Sequence, residues 1–206
     1  MALSDLTFKF YTDTGLTAAF GGTYQYTHQS DFSDNPQDNT LYFGSAATTG
    51  TRTLQATSNP SVDQITLTPT YALPDWSVTT AYALGYSARP TTPTTYRYEV
   101  TTAGTSAGSE PTWPTVIGNT VTDGTVVWTT VAEERAVSEI TLGLTEASLG
   151  TNTPGAALDV GAAILSGSAN KVTVWIRVAN AIPTVTSTFG QAELTININA
   201  VREIES

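Results

Sequence analysis

Few residues in this chain are of types that carry out covalent chemistry. His28 is the single histidine and there is no cysteine, so any imidazole-based nucleophilic mechanism must run through that one side chain. It stands in an alternating segment, residues 23–28 (TYQYTH), where an ordinary strand-surface histidine is expected. Neither a His-Glu-x-x-His pair nor a thiolate set for zinc can be written. Asp31, Asp34 and Asp38 fall within the run DFSDNPQD, and flexible acidic loops are where calcium finds oxygen ligands. The register of a calcium-binding helix–loop–helix fails, because Pro36 stands where glycine is needed and Tyr42 where the bidentate glutamate belongs. A solvated turn is expected, with the three carboxylates kept as a candidate calcium set. Glu99, Glu110 and Asp123 lie among tryptophans and tyrosines, and a pair of carboxylates flanking a sugar is what glycoside hydrolysis requires. So short a segment leaves little room for a cleft, and Asp123 before Gly124 reads as turn chemistry. Glycine-rich turns are followed by strands instead of a helix N-terminus, so no phosphate loop forms. The expectation is a protein that is not an enzyme and takes no cofactor.

The densest chemistry is aromatic. Trp76, Trp113 and Trp128 fall between residues 74 and 131, together with Tyr82, Tyr86, Tyr96 and Tyr98. Exposed, Trp76, Tyr82, Tyr96, Tyr98, Trp113 and Trp128 would form a platform for sugar rings or a protein partner. Buried, they would be the core of a small domain. A domain of this size has little else to bury, so burial is expected, with room for one tryptophan to face outward. Glycine and proline interrupt the stretch too often for a helix. The expected strands are 81–84, 96–101 and 125–131, with a two-residue Asp123-Gly124 hairpin loop before the last.

The blocks Tyr96-x-Tyr98, Thr102-Ala103-Gly104-Thr105-Ser106, Glu110-Pro111-Thr112-Trp113-Pro114, Thr120-Val121-Thr122-Asp123-Gly124 and Trp128 occur in this order at compact spacing. Together they resemble a small aromatic β-module found, often as an insertion, in tailed-bacteriophage virion proteins and described as carbohydrate-binding-like. The usual Gly-Tyr pair before the first block is here Thr95-Tyr96. The resemblance covers about a quarter of the chain and implies a phage-particle component, without saying which part of the particle.

The elements that must position these residues read as strands throughout. Residues 6–11 alternate Leu6, Phe8 and Phe10 against Thr7, Lys9 and Tyr11. Residues 23–28, 40–45, 51–56 and 64–70 follow, with 29–39 as a polar loop. Beyond the aromatic stretch come 137–145, 158–165, 171–179 and 192–200, with 146–149 as a short helical turn. In 171–179 the residues Val172, Val174, Ile176 and Val178 point inward, and Thr173, Trp175 and Arg177 face solvent or a partner. The fold class expected is all-β, an antiparallel Ig-like or jelly-roll-type sandwich. It is expected to be discontinuous, residues 1–73 plus 133–206, with residues 74–132 as an inserted aromatic β-domain. A tandem of three pieces is the alternative.

Composition bounds the partners. Of 206 residues 13% are charged, about half the usual share, and the net charge of −10 rests on only eight basic side chains. No basic stripe exists for phosphates, so nucleic acid is not expected as a partner. No apolar run is long enough for a membrane helix, and no leader precedes the first strand, so synthesis in the host cytoplasm is expected. The function expected is a bacteriophage virion structural protein on the outer surface of capsid or tail. It would be an external decoration or attachment protein, docked on major capsid or tail proteins by its sandwich edges and homo-oligomeric, as a trimer for example. The alternative is a tail fibre, neck or baseplate component binding host-surface glycans.

Overall fold

The computed structural model describes residues 6–23, 33–92, 95–133, 135–181 and 194–205. The fold is all-β, built of antiparallel sheets with a few short 3₁₀ turns. The chain divides into two compact units. Among the described residues, the first comprises 6–23, 33–70, 137–181 and 196–205, and the second 71–92, 95–133, 135–136 and 194–195.

The first unit opens with strands β1 (Phe8–Tyr11), β2 (Gln37–Ser45), β3 (Arg52–Ala56) and β4 (Ile65–Tyr71). The second contributes β5 (Ala81–Tyr82), β6 (Ser87–Ala88), β7 (Tyr96–Thr102), β8 (Gly104–Thr105), β9 (Thr120–Asp123) and β10 (Val126–Glu133). The chain continues with β11 (Ile140–Gly143), β12 (Leu158–Gly161), β13 (Ala163–Leu165), β14 (Val172–Val178), β15 (Leu194–Ile198) and β16 (Val201–Glu205). Sheet orders are β1-β2-β14-β11, β12-β4-β15 and β13-β3-β16, then β6-β7-β10-β9 and the pair β5-β8.

Alternation decides which side of each strand is buried. In β4, Ile65 and Leu67 are fully buried while Thr66 and Thr68 are not, as period-two patterning requires. In β14, Val174 and Ile176 are buried, with Val174 opposite Leu41 of β2 and Ile176 opposite Leu142 of β11. Ile164 of β13 faces Leu54 of β3 directly, and both are buried.

Several boundaries differ from those read in the sequence. The polar loop expected over 29–39 already becomes strand at Gln37, because Gln37, Asp38 and Asn39 pair with Val178, Arg177 and Ile176. Pairing by backbone groups is blind to polarity. The expected run 158–165 is broken at Gly161, at φ 125°. β12 pairs with β4 and β13 with β3, so the two halves serve different sheets. Residues 137–139 form a 3₁₀ turn before β11, the helical turn falls at Ala147–Gly150, and β16 is an additional strand. The strand expected over 23–28, with His28, lies outside the described residues from 24 onward.

Two side-chain clasps close the first unit. The Asp13 carboxylate accepts the backbone N–H groups of Gly15, Thr17 and Ala18 and the Thr17 hydroxyl. The tight loop they define holds Leu16 at φ 58° and drives its side chain to 2% exposure beside Gly44. Glu203 of β16 accepts the Thr7 amide and hydroxyl, each at 2.7 Å, and Arg52 Nη1 at 2.9 Å. Burial pushes the Glu203 carboxyl upward, but the bonds from Thr7 and Arg52 outweigh it and hold its pKa below the usual value.

Candidate functional site

The aromatic residues of the second unit converge on one core. Trp76, Tyr82, Ala88, Tyr98, Val100, Val126 and Trp128 are buried together, with Tyr86, Tyr96, Trp113 and Val121 packed against them. β7 and β10 supply its floor, with Trp128 opposite Val100 and Val121. The rings meet edge to face or tilted: Tyr82 to Trp128 at 4.8 Å, Trp113 to Trp128 at 5.6 Å and Tyr98 to Trp113 at 4.3 Å between centroids. The two edge-to-face pairs on Trp128 are the arrangement that aromatic quadrupoles favour. Burying one such ring is worth up to about 4–6 kcal/mol by area, which is how a unit without disulfides holds together.

A carboxylate sits at the centre. Asp123, 2% exposed, accepts Trp76 Nε1–H at 2.7 Å and Trp128 Nε1–H at 3.2 Å on one oxygen, and the Ala107 amide at 2.7 Å on the other. The turn makes this possible. Asp123 is the last residue of β9 and pairs with Val126, so the two-residue hairpin loop is Gly124-Thr125, one position later than the expected Asp123-Gly124. Gly124 adopts φ 64°, the left-handed conformation required at the first loop position of a II′ turn. As a strand residue, Asp123 turns its side chain into the core.

The remaining blocks of the motif act as straps. Glu110 accepts the Thr91 amide at 2.9 Å, Trp113 Nε1–H at 2.8 Å and the Thr91 hydroxyl. Burial raises its pKa, yet the bonds from Thr91 and Trp113 bring it below the ordinary value. The Pro114 carbonyl accepts the Tyr98 hydroxyl at 2.9 Å and the Thr130 hydroxyl at 3.1 Å. Gly104 passes so close to the backbone of Thr125 and Val126 that a β-carbon there would collide with it. Buried Ser106 donates to the Ser77 carbonyl and accepts the Thr80 amide.

Of the six candidate platform residues, Trp76, Tyr82, Tyr98 and Trp128 are at most 5% exposed. An exposed six-ring platform is therefore ruled out. Tyr96 and Trp113 are half-buried at the margin of the core. Glu99 lies on β7 opposite Thr129, while the oxygens of Glu110 and Asp123 are engaged by the bonds above. Two of the three candidate calcium ligands are described, and each has a partner. Asp38 binds Arg177 through both oxygens, at 2.8 and 2.7 Å, Asp34 accepts from Gln37 at 2.9 Å, and Asp31 lies outside the described residues. Among the described residues no three acidic or histidine side chains are grouped to hold a metal.

Sequence reasoning missed Ser106, Gly104 and the Pro114 carbonyl. The Thr-Ala-Gly-Thr-Ser and Glu-Pro-Thr-Trp-Pro blocks were their only signal, and nothing in residue type told that a carbonyl or a missing β-carbon was what mattered. The chain matches no protein-family model, no curated protein and no solved structure.

Proposed function

We propose that this chain is a structural protein of a tailed-bacteriophage particle, an external decoration or attachment element. It docks on major capsid or tail proteins through the edges of its sheets and assembles in several symmetric copies, in the host cytoplasm where the particle is built. One observation carries the reading. The residues that form the phage-type motif are ones that interlock in the second unit: Tyr98 with Trp113, and Trp113 with Trp128, through their rings, Tyr98 with Pro114 through its carbonyl, Glu110 with Trp113, and Asp123 with Trp128 and with Trp76 outside the motif. The motif is thus a set of folding contacts, and a likeness in it is a likeness of a structural module. The sparse charge and net −10 suit an outer surface that repels nucleic acid.

The experiment is a cryo-EM reconstruction of particles carrying the chain. Density on the outside of the capsid lattice or tail is the expected result, and purified particles that lack the chain reject the proposal. A second reading, a tail fibre, neck or baseplate component that binds host glycans through the module, is favoured by the half-buried Tyr96 and Trp113. It predicts that Trp113→Ala lowers adsorption to host cells while the protein stays on the particle.

A further inference from the structure

Three of the four tryptophans spend their indole N–H on a carboxylate: Trp76 and Trp128 on Asp123, Trp113 on Glu110. Trp175 is the exception. Among the described residues no group accepts its N–H, and its ring is half-buried on a sheet of the first unit.

The register of that sheet fixes its neighbours. Trp175 lies opposite Thr40 of β2 and Gly143 of β11, and Thr173 lies opposite Tyr42. Arg177 lies opposite Asp38 and binds it. Residues paired across strands, and those two apart along them, share a face. Tyr42, Thr173, Thr40 and Trp175 therefore form one surface, each of them half-buried. Lys171 lies 6.0 Å over the Tyr42 ring at one end, and the Arg177–Asp38 pair closes the other.

This surface is walled. The Asp13 loop sets Leu16 over Gly44, where a β-carbon would come within 3.1 Å of the leucine. Beside Trp175 the turn Ala147–Gly150 sets Leu149 over Gly143, at 3.3 Å from such a carbon. Arg177 Nη1–H ties that turn down through the Leu149 carbonyl. Both rest on glycines, Leu16 at the Lys171 end and Leu149 beside Trp175, so the sheet surface they border is a shallow trough closed at that end and along that side, with two aromatic rings, two hydroxyls and an ion pair along it.

We propose that this trough binds a short stretch of neutral carbohydrate. Sugar rings offer axial C–H faces to aromatic rings, and hydroxyls that both donate and accept. The floor supplies Trp175 and Tyr42 for the first, and the Trp175 N–H, which no described residue accepts, the Thr40 and Thr173 hydroxyls and the Asp38 carboxylate for the second. A chain of net charge −10 repels acidic polysaccharides at long range, which selects neutral ones. Every residue of the site belongs to the first unit.

The test uses the full chain on an array of bacterial surface glycans. Retention of neutral glycans is expected. Trp175→Ala should lower it at least about tenfold, the equivalent of one lost stacking contact near 1.4 kcal/mol. Thr40→Arg, which fills the trough without touching the core, should do the same if Trp175→Ala folds poorly. Leu84→Ala, at an exposed position of the second unit, should leave retention unchanged. No retention, retention of acidic glycans only, or retention that survives both trough variants overturns the proposal. Co-sedimentation with particles is scored separately, so failure of sugar binding and failure of the structural role are told apart.

Discussion

Trp76 donates its indole N–H to Asp123 at 2.7 Å, across 47 positions of sequence and inside the core. The same oxygen takes Trp128. Asp123→Ala would leave two buried indole N–H groups and the Ala107 amide without their acceptor. The expected loss is about 3 kcal/mol or more in the stability of the second unit, with Asp123→Asn costing less because one amide oxygen remains. Thermal unfolding followed by near-ultraviolet circular dichroism, where tryptophan environments report, measures both.

Two glycines separate backbone crowding from chain flexibility. A β-carbon at Gly104 meets the Thr125 backbone, while one at Gly108 meets nothing within 4 Å. Gly104→Ala is expected to destabilise by about 1–3 kcal/mol. Gly108→Ala should be neutral or stabilise by up to about 1 kcal/mol by restricting the unfolded chain. Urea midpoints of the two variants, compared at equal slope, decide it.

Glu203 makes stability depend on pH in a fixed direction. Its folded pKa lies below the ordinary 4.5, so its contribution is fully present above that value and is lost as pH falls through the folded pKa. Denaturant unfolding of the wild type should weaken as pH drops below about 4.5. Glu203→Gln should be less stable at pH 7 and should show a flatter acid limb over that window. An acid limb unchanged by the substitution would remove Glu203 as its source.

Leu16 is buried in a left-handed conformation that most residues avoid. Leu16→Ala should cost about 2–4 kcal/mol through the cavity it leaves. Hydrogen exchange at the amides of Gly15, Thr17 and Ala18 should quicken in Asp13→Ala, because these are the donors that the carboxylate holds.

What the sequence made legible was face, and what it hid was partnership. Alternation in 171–179 placed Val174 and Ile176 inward, as they lie, while Val172 and Val178, expected inward as well, are only half-buried, like Trp175 and Arg177 on the other face. It could not say that Arg177 would meet Asp38, because that depends on β14 lying against β2 across 139 positions. The same blindness assigned Gln37, Asp38 and Asn39 to a loop, since polar residues in a strand leave no periodic trace. In the aromatic unit, residue type announced a core. The role of Asp123 was concealed by its neighbour, because Asp-Gly is so strong a turn signal that the carboxylate seemed explained. A shift of the loop by one residue turned a turn-former into the anchor of two tryptophans.

The Asp123 anchor also sets the order in which the aromatic unit can form. The hairpin of β9 and β10 is local and closes early, bringing Asp123 and Trp128 together within five positions. Trp76 must return from 47 positions away, a closure that costs more chain entropy and comes later. Until it arrives, the Asp123 carboxylate has one indole instead of two. Refolding followed by tryptophan fluorescence would therefore resolve a fast phase that survives Trp76→Phe and a slower one that does not, and the first strap of the unit would be the last to set.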